Sequence, residues 1–227
     1  VDEIDGVAVG SGTMPTVKAG SVIKMKGHVA GVEGFNGVVT ATVRDTQEEI
    51  TCKLNNTSND GAEVAFKYLD RTKTLYHGSD SIRNSSFELT FAVPKDINYA
   101  DGQGMINLYA LNTDKTIRAN GSCDQFIVGG SAEAKNDSVG PSIYCYLNSP
   151  SFVDGGYVNS TPYFVAEIKD KDGINAAGSG IGHDLQLVID GDMAKTYTLN
   201  NNFSYDFGTY TSGSTFYSIP ELEEGPH

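Results

Sequence analysis

The sequence has no long segment in which apolar residues recur at helical spacing, and no apolar run near the roughly 18 residues of a membrane-crossing helix. The first absence turns the reading away from helical bundles, the second away from direct membrane insertion by a helix. Basic residues are scarce as well. Sixteen Lys and Arg against 29 Asp and Glu leave a formal charge of −13. That balance argues against nucleic acid and anionic membrane surfaces as partners, since both require basic patches. Solubility is a plainer reading of the charge than an acidic docking face. Cysteine is sparse too: Cys52, Cys123 and Cys145 are too few and too scattered for a disulfide framework or a zinc site. The four histidines, His28, His77, His183 and His227, fall far apart, and no Ser or Cys sits in a nucleophile-type turn. No catalytic residue and no cofactor are therefore assigned. Val1 is not an initiator methionine and no secretory leader is visible, as expected of a piece of a longer precursor.

What the chain does have is short alternating runs bounded by Gly, Asn, Asp or Pro, the pattern of an all-β protein. In Ser21–Val29, Ile23 and Met25 alternate with Val22, Lys24 and Lys26, predicting a strand with one buried face. Val38–Arg44 is rich in β-branched residues. Glu49–Leu54, Val64–Tyr68, Met105–Leu111, Ile117–Gly121 and Phe126–Val128 read as further strands. Ser86–Val93 places Phe87, Leu89, Phe91 and Val93 on one face, and Pro94 ends it by removing a ladder donor. About eight strands over residues 1–130 suffice for a two-sheet sandwich. Residues 131–140 have almost no large apolar side chain and read as a linker. Residues 141–227 read as a second, immunoglobulin-like β-sandwich with strands at Ser142–Leu147, Tyr163–Lys169, Asp184–Asp190, Lys195–Leu199 and Ser214–Ile219. Phe203, Tyr205, Phe207 and Tyr210 form an aromatic cluster whose plainest role is core packing.

Asp170, Asp172 and Asn175 offer oxygen ligands at a spacing similar to that of calcium loops, and they are the only metal candidates. The further ligands and the distal bidentate glutamate of an EF-hand are missing, and Asp and Asn also favour turns, so a turn is the preferred reading. The glycines at Gly178, Gly180 and Gly182 precede a strand and not a helix, which rules out a phosphate-cradling loop. His183-Asp184 beside them is expected to fix that loop by a hydrogen bond.

Several stretches together carry a family resemblance. They are Phe35-Asn-Gly-Val-Val39, Asp70-Arg-Thr72 with Leu75-Tyr76, Val93-Pro-Lys-Asp-Ile-Asn-Tyr99, Phe126-Ile-Val-Gly-Gly130, Asp172-Gly-Ile-Asn175, Gly180-Ile-Gly-His-Asp184, Leu187-Val-Ile-Asp-Gly191 and Leu222-Glu-Glu-Gly225. In this order they resemble the region after the peptidase domain in PorU-type sortases, the gingipain-related cysteine peptidases of the type IX secretion system. The resemblance implies a parent endopeptidase that removes C-terminal sorting signals at the outer-membrane surface and helps attach the products to lipopolysaccharide. The family's catalytic His and Cys belong to an upstream caspase-like domain with no counterpart here. The resemblance thus implies a non-catalytic scaffold or docking role, with the peptidase domain and a PorV-like outer-membrane barrel as partners. A carbohydrate-binding or adhesive sandwich is the competing reading, for which exposed coplanar tyrosines would be the handle.

The second sandwich shows only five or six strands before Leu222–His227, fewer than the roughly seven of a closed one. In immunoglobulin-like folds a turn of this kind precedes a central strand. The expectation is an incomplete domain with an open edge that invites strand pairing between chains.

Overall fold

The structure is a computed structural model that describes residues 1–53, 64–133, 139–176 and 184–227. It is all-β, in sandwich-like layers. The first region contributes β1 (Glu3–Ile4), β2 (Val7–Ala8), β3 (Thr16–Ala19), β4 (Val22–His28), β5 (Gly37–Arg44), β6 (Glu48–Thr51) and β7 (Lys67–Asp70). It continues with β8 (Thr74–Arg83), β9 (Ser86–Ala92), β10 (Gly102–Gln103), β11 (Met105–Asn112), β12 (Arg118–Cys123) and β13 (Ile127–Ser131). These are thirteen strands among the described residues, against the eight expected. The surplus consists largely of pieces of two to four residues, too short for an alternation signal.

Eight strands build one curled antiparallel sheet in the order β12-β11-β5-β8-β9-β4-β1-β2. Its edge hairpin turns at Asp5 and Gly6, both at positive φ (49° and 81°), the geometry that the Asp-Gly pair favours. The registers place Ile23, Met25, Leu89, Phe91, Ile82, Val39, Ala41, Val43 and Ile106 on one face, and all are buried. The alternation expected for β4 and β9 is therefore the observed one. A three-stranded sheet, β10-β13-β3, supplies Val17 and Val128 to the same core, joined by Phe126 from the adjoining loop. Gly104 is needed there, because a Cβ would lie 2.4 Å from the Phe126 ring.

The reading of Val64–Tyr68 as a strand is corrected: the strand starts three residues later and ends two residues later. β7 covers Lys67–Asp70 and, among the described residues, pairs with β6 alone, as an arm outside the curled sheet. Thr74–Arg83 is one ten-residue strand, longer than its sequence suggests. The register slips between Val43 and Arg44, so Leu75 is an extra residue opposite them. This bulge lets the adjacent Leu75 and Tyr76 both be buried, which simple alternation forbids.

The remaining strands are β14 (Ser142–Leu147), β15 (Tyr163–Lys169), β16 (Gln186–Val188), β17 (Thr196–Thr198), β18 (Ser204–Tyr205) and β19 (Ser212–Ser218). They form a four-stranded sheet, β14-β15-β19-β18, and a two-stranded one, β16-β17. β16 is shorter than the expected Asp184–Asp190. Asp190 and Gly191 both take positive φ (57° and 69°) and turn the chain away. The glycine stretch with His183, and linker residues 134–138, lie outside the described residues.

Candidate functional site

Where the two regions meet, they share one apolar core. Ile168, Ile174, Phe203 and Tyr205 belong to the same buried cluster as Met25, Phe91 and Val43. At its centre Tyr76 lies between Phe91 and Tyr205, with ring centroids 5.0 and 5.1 Å away, and Phe203 meets Tyr205 edge-on at 4.9 Å. Gly78 makes room for this stack, since a Cβ there would fall 2.2 Å from the Tyr76 hydroxyl. The Tyr205 hydroxyl donates to the Ile174 carbonyl at 2.6 Å. Burial pushes the Tyr76 phenol up to about 12, helped by the nearby Asp80 carboxylate, and burial raises Tyr205 as well. The Gly208 amide donates to the Ser79 carbonyl, and the Asn175 amide donates to Asp96 Oδ2 at 2.9 Å.

The expected metal candidates separate into two tasks. Asp170 Oδ1 accepts the Asp172 amide at 2.9 Å, closing a turn, while Asn175 reaches across to the first region. Among the described residues no group of three or more His, Cys, Asp or Glu could hold a metal ion. His28 pairs with Asp2 at 2.7 Å, His77 with Thr42 Oγ1 at 2.9 Å, and His227 with Asp190 at 3.1 Å. Cys123 is buried in β12, whereas Cys52 and Cys145 are exposed. A cleft of about 300 Å³ beside the junction is lined by Thr42, Arg44, His77, Asn200 and Asn201, among others. Among the described residues no helix is long and apolar enough to cross a membrane.

Some residues that organise the structure gave no sequence signal. Asp45 is buried, and its carboxylate accepts the Thr46 and Asn98 amides at 2.7 Å each, pinning the segment after Pro94. A lone Asp after a strand looks like any turn residue, so only its burial reveals the role. Of the aromatic cluster, Phe203 and Tyr205 are buried and Phe207 is exposed, because β18 ends at Tyr205.

The surface of the second region is the other notable feature. On the outer face of β14, β15 and β19 stand Tyr144, Tyr146, Tyr163 and Phe216. Tyr163 and Phe216 stack on each other at 5.6 Å and 24°, and Tyr144 and Tyr146 are tilted by 46°. These rings form two adjacent pairs on one face of the sheet.

No family model matches the sequence, and no curated protein matches it. Among solved structures there is a match to the crystal structure of dimeric latent PorU from Porphyromonas gingivalis. It has 33% sequence identity and a TM-score of 0.58. This chain is similar to PorU over 99% of its length. It spans about a fifth (21%) of that PorU chain. The matched 99% of the chain takes in residues of both regions.

Proposed function

We propose that residues 1–227 form a non-catalytic structural region of a PorU-type cysteine peptidase, exported and held at the outer-membrane surface. The observation that carries this is the 33% identity to PorU over 99% of the chain. The shared core supports a rigid arm, since buried aromatic contacts between regions leave little freedom for hinge motion. Such an arm positions the peptidase domain against its substrates and against a PorV-like barrel. Carbohydrate binding has less support, because it rests on exposed aromatic rings alone and not on the similarity to PorU.

The test is a comparison of this chain with a longer form that includes the peptidase domain. The longer form is expected to cleave a peptide bearing a C-terminal sorting signal, and the 227-residue chain to leave it intact. Cleavage by the short chain that disappears in Cys123→Ala or Cys145→Ala would overturn the reading.

A further inference from the structure

The cleft beside the junction departs from the rest of the chain in the sign of its lining. The formal charge of the chain is −13, yet among the described residues that line the cleft none is acidic. One wall comes from the first region and carries Arg44 of β5 and His77 of β8. The other comes from the second region and carries Asn200 and Asn201, in the turn between β17 and β18. Tyr76 and Tyr205, both buried, also line it, so the cleft is anchored on the shared core.

Hydrogen bonding separates the lining groups that are occupied from those that are free. Asn200 accepts the Leu185 amide at 3.0 Å and donates to the Ala176 carbonyl at 3.1 Å, which fixes its wall. The Thr72 hydroxyl is taken by Glu48, and the Thr42 hydroxyl by His77 Nδ1 at 2.9 Å. When Thr42 donates in that pair, the ring hydrogen sits on Nε2. Among the described residues the Arg44 guanidinium, His77 Nε2 and the Asn201 side-chain amide have no hydrogen-bond or ion-pair partner.

We infer that this cleft binds a small molecule bearing an oxyanion, a phosphate or carboxylate group. Three arguments select that ligand. The guanidinium is permanently charged, offers only donors, and its planar fork matches two oxygens of such a group. His77 and Asn201 add donors from the two walls, and no acid in the lining opposes the anion. Finally, the volume of about 300 Å³ and the position between two regions are those of a small-molecule site. A ligand held by Arg44 on one wall and Asn201 on the other ties the two regions together. This inference does not depend on the proposed function, because it stands on the lining and its hydrogen bonds alone.

The test is a heteronuclear NMR titration of the 227-residue chain at constant ionic strength, with inorganic phosphate in one arm and benzoate in the other. Saturable shifts at Arg44, His77 and Asn201 are expected, and the arm that saturates at the lower concentration assigns phosphate or carboxylate. The saturating anion should also raise the melting midpoint, because it binds only the folded chain. Arg44→Gln, and separately Asn201→Asp, should each weaken binding about tenfold or more, the second by placing an acid in the opposite wall. The two positions lie in different regions, so if one variant fails to fold the other still decides. Arg83→Gln, which alters an exposed arginine outside the cleft, should leave binding unchanged. Shifts that grow without saturating in both arms would overturn the site. So would equal weakening in Arg44→Gln and Arg83→Gln, because general charge screening would then account for the response.

Discussion

The two regions use similar strands and reach different degrees of closure. In the first, the inner face of the curled sheet is covered, so residues such as Phe126 and Met25 are completely buried. In the second, the outermost strand of the main sheet keeps Ile143 and Tyr144 more than half exposed. An apolar residue contributes to stability only where something packs on it, so equal hydrophobicity has unequal weight in the two regions. The junction joins the two regions in one buried cluster, to which Tyr76 and Tyr205 both belong.

The largest expected effect tests that contrast directly. Phe126→Ala should cost about 3–5 kcal/mol, as for a large aromatic removed from a packed core. Thermal melting would show it, and a loss under about 1 kcal/mol would mean the first core is looser than its burial implies.

Tyr205→Phe comes next. It removes the donor to the buried Ile174 carbonyl and should cost about 1–3 kcal/mol. If the junction is one cooperative unit with the first core, amide protection should fall in both regions together. Loss confined to residues 139–227 would separate them.

Alkaline titration sharpens the same point. Tyr76 and Tyr205 are acids whose folded pKa lies above the ordinary 10, so their burial stabilises the neutral form. That stability is complete below pH 10 and declines as pH rises past it, where the unfolded chain ionises first. Absorbance at 295 nm should show these two tyrosines ionising with unfolding, and in Tyr205→Phe stability should decline less steeply with pH.

Smaller still, Ile143→Ala should lie within about 0.5 kcal/mol, since an exposed side chain has little packing to lose. A cost near that of Phe126→Ala would show that the β14 face is covered in solution.

The smallest effect concerns residues 220–227. The His227 ring pairs with the Glu223 carbonyl and with Asp190, which raises its pKa above the ordinary 6.5 and lowers that of Asp190 below 3.8. The histidine contribution is full below pH 6.5 and lost as pH rises through the raised pKa. The Asp190 contribution is present above 3.8 and lost as pH falls through the lowered one. Amide exchange in this segment should therefore be slowest between those limits, and Asp190→Asn should flatten the profile.

The alternation of Ile23 and Met25 and of Phe87, Leu89 and Phe91 was legible in the sequence because one strand face meets one core. The aromatic cluster was legible only in part: its period of two predicts Phe207 inward with Phe203 and Tyr205, whereas β18 stops before it. Tyr76 was not legible at all, since the bulge that admits both it and Leu75 depends on the register with Val43 and Arg44. The candidate site was less legible than the fold. Its central contact, Tyr76 on Tyr205, joins residues far apart in sequence, and no local pattern records that.

By itself, then, the sequence determined the all-β class, the buried faces of the long strands and the turn at Asp5-Gly6. These depend on side-chain period and on backbone angles, which are local properties. Only the tertiary structure decided that Tyr205 packs on Tyr76, that Asp45 is a buried clamp, and that Ile143 remains bare while Ile168 is closed. Ile143 and Ile168 are both isoleucines on the inner face of adjacent strands. What separates them is that Ile168 packs into the shared core while Ile143 stays outside it, a difference set by distant parts of the chain.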